Sequence, residues 1–345
     1  MSDQKKLTRI LSIDGGGIRG IIPGQILIYL ENKLRELDNN PDACLADYFD
    51  MMAGTSTGGI LSCAYLCPDP DTPGKAKFSA QEAVDLYMTK GTDIFNRSLW
   101  QKLKSAGGLV DEKHSEGELE KYFLEYFAET KLSELLKPCL VTAYDTERRN
   151  AFFFTQHNAI DSGRDFMVRD IARATSAAPT YFEAAGIRSL SGIFYSLVDG
   201  GVFANNPTMC AYAEARKTDF GPAKNKPTAA EMLILSIGTG VVDRQYLYED
   251  VKSWGALHWI KPVIDIMMSG VAETVDHQLK QIYDSVGKLE NYLRIAPELN
   301  DASPEMDEAS PENLEALKKA GELATEANHD KLDRLAQLLI ENKPD

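Results

Sequence analysis

The sequence predicts an α/β fold, with a mostly parallel central sheet and helices on both faces. Three observations carry the prediction. Short aliphatic runs, "TRILSID" (8–14), "FYSLVDGG" (194–201) and "MLILSIGTG" (232–240), end in glycines or lead into them, the pattern of buried parallel strands. After "GGGIRGII", Leu27, Leu30, Leu34 and Leu37 recur at intervals of three or four, which marks one face of a helix. The order strand, glycine turn, helix then repeats, as it does in sheets covered on both faces. In such sheets ligands bind beyond the carboxyl ends of the strands, where these glycine turns fall.

Taken in order, the first unit is the strand at 8–14, a glycine turn, and a helix whose first turn can hold Pro23. A second unit surrounds "MMAGTSTGGIL" (51–61), approached by Tyr48, Phe49, Met51 and Met52 and followed after Gly58 by a helix. "CLVTAYD" (139–145) and "AFFFT" (151–155), separated by "TERRN", read as strands joined by a polar turn. "VRDIARATSAAP" (168–179) reads as a helix ending at Pro179. From about 297 acidic residues crowd the chain, and a helix follows with Leu332, Leu335, Leu338 and Leu339 on its apolar face. No repeat or low-complexity linker divides the sequence, so residues 1–345 are expected to form one domain. The acidic loop and C-terminal helix, about 297–345, dock on it.

Composition narrows the function. A chain of 345 residues with 43% hydrophobic and 9% aromatic residues is ordinary for a globular protein. Its net charge of −15 argues against a nucleic-acid polymer as partner and disfavours attraction to anionic membranes. The stretch "MSDQKKLTRILSID" has no apolar run before a small-residue cleavage site, and no run of about 18 apolar residues occurs. Five cysteines lack metal-type spacing, so reduced thiols are expected and no zinc or redox role is assigned to Cys63 and Cys67. A cytoplasmic protein, peripheral on membranes at most, is the expectation.

Gly54-Thr55-Ser56-Thr57-Gly58 fits the nucleophile-elbow pattern G-x-S-x-G. There, small neighbours permit a strained strand-to-helix turn that exposes the serine hydroxyl, and the helix N-terminus favours a forming oxyanion. A polar residue in a glycine turn is the competing reading. Asp14-Gly15-Gly16-Gly17-Ile18-Arg19-Gly20 supplies consecutive glycines whose N–H groups can converge on an anion. It meets the dinucleotide pattern only loosely and lacks the P-loop lysine, so an oxyanion hole with Arg19 nearby accounts for it better. A serine needs a group to take its proton. His114, His157, His258, His277 and His329 all lie outside glycine-flanked strand ends. Asp199, in "SLVDGGVFANNP", ends an aliphatic strand before Gly200-Gly201 and can serve as base if burial raises its pKa. Its competing reading is a cap on a β-turn.

These motifs identify a family. DGGGIRG, GTSTGG and DGG, in this order at strand ends, resemble the patatins, plant lipid acyl hydrolases, and their bacterial relatives. "LDNNPDACLADYFD", "ATSAAPTYF", "LILSIGTG", "SWGALHW" and "NYLRI" are similar to plant patatin segments, so the likeness covers nearly the whole chain. The resemblance implies a three-layer fold and a Ser–Asp dyad on Ser56 and Asp199, with no catalytic histidine. It also implies an oxyanion hole at Gly15, Gly16 and Gly17, with Arg19 close by. No metal or cofactor is called for, because the oxyanion hole does the electrophilic work.

Two departures stand out: plant patatins carry a signal sequence, and "GGVFANNP" looks more like bacterial members. The expected activity is hydrolysis of fatty-acyl esters of phospholipids and related lipids at a membrane or micelle surface. A gated effector phospholipase and a Ser-His-Asp esterase are the alternatives. The sequence leaves open homo-oligomerisation and a small-molecule activator. The stretch 248–270, with Trp254, Trp259, Ile260, Ile264, Met267 and Met268, reads as a helix packed on the core in preference to an acyl-chain wall or membrane-facing flap.

Overall fold

The computed structural model describes residues 6–94, 113–221, 224–242 and 245–343. Its centre is an eight-stranded sheet: β1 (Thr8–Ile13), β2 (Met51–Thr55), β3 (Cys139–Asp145), β4 (Asn150–Thr155), β5 (Ala185–Arg188), β6 (Phe194–Asp199), β7 (Met232–Ile237) and β8 (Tyr292–Ile295). Strands β3, β2, β1, β7 and β8 lie side by side in parallel; β4 and β6 run antiparallel to β3, and β5 runs antiparallel to β6. The predicted α/β class holds, and so does the hairpin of β3 and β4.

Burial on both faces explains why the central strands are continuously apolar. Along β1, Leu11 and Ile13 enter one core while Ile10 enters another on the opposite face, as alternation across a strand requires. The first core is roofed by α1 (Ile21–Leu37), α2 (Thr57–Leu66), α3 (Ala80–Ile94), α4 (Lys113–Phe127) and α5 (Val168–Thr175). The second is covered by α7 (Thr208–Ala215), reached through the one-turn α6 (Gly201–Ala204), and by the long α9 (Ala256–Ser285), which follows the short α8 (Tyr248–Val251). Val275, Leu279 and Tyr283 recur at intervals of four on α9 and are buried there, so that half of the helix, beyond the 248–270 stretch, packs on the core. The C-terminal region holds two helices where one was expected. In α10 (Pro311–Ala327), Ser310 caps the N-terminus and Pro311 takes its first position, while α11 (His329–Glu341) buries Leu332, Leu335 and Leu339.

The helix α5 ends at Thr175, four residues before Pro179. The reason is local: Ser176 turns its hydroxyl back to the Ala172 and Arg173 carbonyls, and the next residues form a loop beside β6. Strand β3 decides where the catalytic candidates meet. Its Cys139–Thr142 portion pairs with β2, its Ala143–Asp145 portion with β6, and Leu140–Asp145 with β4. A strand has only two edges, so β2 and β6 share one of them and run toward each other along it. Thr55 stands opposite Thr142 and Asp199 opposite Ala143, hence the carboxyl ends of β2 and β6 face each other across one residue step.

Candidate active site

Ser56 sits between β2 and α2 with φ 54° and ψ −122°, a left-handed-side conformation that a non-glycine residue adopts only under strain. Packing enforces it. The Ser56 N–H donates to the Thr175 hydroxyl at 2.9 Å, and that hydroxyl donates to the Thr142 carbonyl at 2.8 Å. Close backbone approach explains the flanking glycines: a Cβ at Gly54 would collide with the Gly58 carbonyl, and one at Gly58 with the Ile13 carbonyl oxygen. Neither neighbour is a flexible side chain. Gly58→Ala should therefore lower stability by about 1–3 kcal/mol, as overpacking does, and abolish any activity that depends on the elbow. An unchanged thermal unfolding curve would refute this account of the turn.

Three hydroxyls crowd the elbow, and only one is available. The Thr55 hydroxyl is held between the Thr142 hydroxyl (2.7 Å) and the Ala204 carbonyl (2.6 Å). The Thr57 hydroxyl is 2.7 Å from that of Tyr87. The Ser56 hydroxyl alone has neither tie, and it shares the cavity with Asp199, whose carboxylate accepts the Gly201 N–H at 2.7 Å. Asp199 is only 5% exposed. Burial raises its pKa from 3.8 to about 6, against the lowering effect of the Ser56 and Gly201 hydrogen bonds.

The glycine turn lies against the same place, and its members differ in role. Gly16 and Gly17 line the cavity that holds Ser56 and Asp199. Their N–H groups have no acceptor among the described residues. Gly17 takes φ +59°, and any Cβ there would strike the Met306 carbonyl. Gly15 departs from the expectation. Its N–H donates to the Asn205 carbonyl at 3.0 Å, while its own carbonyl accepts the Thr239 hydroxyl at 2.7 Å. Gly15 therefore braces the turn and has no free donor. Arg19 also stands behind the turn, with its Nε donating to the Gly16 carbonyl at 3.3 Å, and it lines a neighbouring cavity instead. Burial lowers its pKa, with Asp265 and Tyr181 acting in the opposite direction. Asp14, which opens the motif, is clamped by two hydrogen bonds from Arg294 on β8, at 2.9 and 2.5 Å.

Beyond the polar end the cavity is apolar. Ile60, Leu86, Leu119, Phe123 and Phe182 form its walls, joined by Met267 and Met268 from α9. The half of α9 near Pro262 thus walls the cavity while its later turns pack on the core. Trp254 and Trp259 stack edge to face at 5.1 Å before it, and the Ile260 side chain lies outside the described residues. The preference for simple core packing fails for this half, because Ile264, Met267 and Met268 line the cavity and belong to neither core cluster.

Among the described residues no histidine lines the cavity. The His157 ring is bonded to Glu214 at 2.8 Å, His329 packs on Tyr29, and His258 and His277 are exposed. The His114 side chain lies outside the described residues. Cys63 and Cys67 are free, buried thiols whose pKa values burial raises. Thr175, Asn205, Thr239 and Arg294 support the site without having been singled out from the sequence. Each lies in a segment with family likeness, and that was the available signal.

Comparison with known proteins bears on the motifs directly. A family model described as patatin-like phospholipase matches residues 11–212, from within β1 into α7. Patatin-like protein 2 of Oryza sativa subsp. indica is 34% identical over 96% of this chain and 87% of its own. Patatin-1-Kuras 2 of Solanum tuberosum is 32% identical over 98% and 94%. Patatin-like protein 6 of Arabidopsis thaliana is 32% identical over 99% and 73%. VipD from Legionella pneumophila aligns with 98% of this chain and 67% of its own at 13% identity and a TM-score of 0.38, too loose a likeness to support an inference. With the matched span running through both the serine elbow and the aspartate strand end, the chain belongs to the patatin-like phospholipase family.

Proposed function

We propose that the protein hydrolyses fatty-acyl ester bonds of phospholipids and related lipids through an acyl-enzyme on Ser56, with Asp199 as the base. The observation that carries the reading is one uncommitted hydroxyl sharing the polar end of an apolar cavity with a buried carboxylate. Ser56 Oγ attacks the ester carbonyl as its proton passes to Asp199. The Gly16 and Gly17 N–H groups and the start of α2 stabilise the oxyanion. Collapse breaks the ester C–O bond, and the departing alcohol takes the proton from Asp199. Water then attacks the acyl-enzyme, gives its proton to Asp199, and the fatty acid leaves as Ser56 recovers the proton.

The apolar walls suit an acyl chain, and a lipid surface is the expected source of substrate. Among the described residues no helix is long and apolar enough to cross a membrane. A cytoplasmic setting with peripheral membrane contact suits the five free thiols.

Treating the protein with a fluorophosphonate ester tests the nucleophile before any substrate is known. The expected result is one covalent adduct, mapped by mass spectrometry to Ser56 and blocked by prior occupation with a long-chain fatty acid analogue. Labelling at another residue, or none at all, would overturn the assignment.

A further inference from the structure

Asn205 stands where two cavities meet. It and Met268 line both the Ser56 cavity and a second one behind the glycine turn, so the two share a wall. The second cavity has a volume of about 390 Å³, many times the roughly 30 Å³ share of one water. Among its lining residues Asp14, Thr239 and Asn205 are buried, while Ser269 and Glu273 are exposed, so it runs from the surface to the glycine turn. Asp14, Arg19, Thr239, Glu273 and Arg294 give it the polar lining that water needs, in contrast to the aliphatic and aromatic walls on the Ser56 side.

The backbone carbonyl of Asn205 is committed and its amide oxygen is not. The carbonyl accepts the Gly15 N–H at 3.0 Å. The side-chain Oδ1, in a residue only 6% exposed, finds no donor among the described residues. A buried acceptor without a donor costs stability, so the position favours a group that brings an O–H or N–H. Two glycines define where that oxygen lies. A methyl group added at Gly15 would stand 2.5 Å from Asn205 Oδ1 and 3.3 Å from the Ser56 Cβ. One added at Gly201 would stand 3.5 Å from the same Oδ1 and 3.2 Å from Asp199 Oδ1. The amide oxygen therefore neighbours both the nucleophile and the base.

We propose that Asn205 holds the water that hydrolyses the acyl-enzyme, drawn from the second cavity, by accepting one of its O–H bonds while Asp199 accepts the other. The assignment rests on acyl-ester hydrolysis at Ser56. With an acyl chain on Ser56, the apolar cavity is filled and that approach is closed to water, whereas the second cavity still reaches the shared wall at Asn205. Two acceptors fix a water in both position and orientation, which is what a slow bimolecular attack gains most from. The water oxygen bonds to the acyl carbon and its proton passes to Asp199. The C–Oγ bond then breaks, Ser56 recovers that proton, and the hydrogen held by Asn205 stays on the carboxyl group of the departing fatty acid.

Methanol separates this role from a structural one. Its single O–H serves Asp199, so methanol attacks the acyl-enzyme without using Asn205. The test supplies a p-nitrophenyl ester with methanol at a fixed concentration and measures the ratio of methyl ester to free fatty acid. That ratio is set after the acyl-enzyme forms, so it reads deacylation whichever step limits turnover. Asn205→Ala, and Asn205→Leu, which keeps the bulk of the side chain, should each raise the ratio about tenfold, the scale of one hydrogen bond. The rate at which a fluorophosphonate labels Ser56, which needs no water, should stay within about threefold of wild type. An unmoved ratio in labelled variants would overturn the assignment, and so would equal slowing of labelling and hydrolysis, which marks an oxyanion donor instead. Loss of Ser56 labelling in both variants would make Asn205 a structural residue and overturn it as well. A wild-type protein that neither cleaves the ester nor takes the label would overturn the hydrolase reading itself.

Discussion

Ser56→Ala should reduce fatty acid release by roughly four to six orders of magnitude, the scale on which removing a nucleophile acts. It should do so in a folded protein. Alanine at φ 54° is as strained as serine, and the bond that pins the turn, from the backbone N–H to Thr175, survives the change. Neighbouring hydroxyls offer no substitute, because Thr55 is locked between Thr142 and Ala204 and Thr57 is paired with Tyr87. The measurement is fatty acid release alongside thermal unfolding. Near wild-type release from a folded Ser56→Ala protein would sink the mechanism, whereas coincident loss of fold and activity would show only that the elbow is structural.

Asp199→Asn should lower kcat by about 10²–10⁴-fold, as expected of a lost general base, while leaving the Gly201 N–H an amide oxygen to bond. The pH dependence has a definite sign. Asp199 must be ionised to accept a proton, and its pKa is raised to about 6, so activity should rise with pH through that region as one group titrates. Stability moves the other way. Between about pH 4 and 6 the folded protein keeps a proton that the unfolded chain has lost, so this group's contribution falls as pH rises and is flat above about 6. The full cost of ionising it is on the order of 3 kcal/mol. Asp199→Asn should therefore melt no lower than wild type at neutral pH and lose the acid limb of the stability profile. A wild-type pH–rate profile flat from 4.5 to 8 would exclude Asp199 as the base.

The motifs were legible because each needs a particular residue type at a fixed local spacing. A serine between glycines and a Gly-Gly-Gly turn after an aliphatic strand announce strained, close-packed backbone, and the Gly58 approach to Ile13 confirms that constraint. Local pattern could not show that the Gly15 N–H is consumed by Asn205, since the acceptor lies 190 residues away in sequence. Nor could it choose between the two readings of the 248–270 segment. The same apolar spacing serves a helix packed on a sheet and one walling a cavity, and only the neighbours distinguish them. Strands β5 and β8 also escaped notice, each four residues long and at an end of the sheet, too short for a periodic signal.

Sequence alone determined the class of fold, the nucleophile candidate and the base candidate, because aliphatic strands, glycine turns and amphipathic helices are written in local residue order. Tertiary structure decided that the two candidates form one site. Strand β3 offers a single edge to both β2 and β6, which approach from opposite directions and stop at adjacent positions, Thr142 and Ala143. That meeting brings Ser56 and Asp199 into one cavity, and burial of the carboxylate there raises its pKa into a working range. Both effects depend on pairings of Thr55 with Thr142 and of Ala143 with Asp199, far apart in sequence, for which no local spacing carries a record.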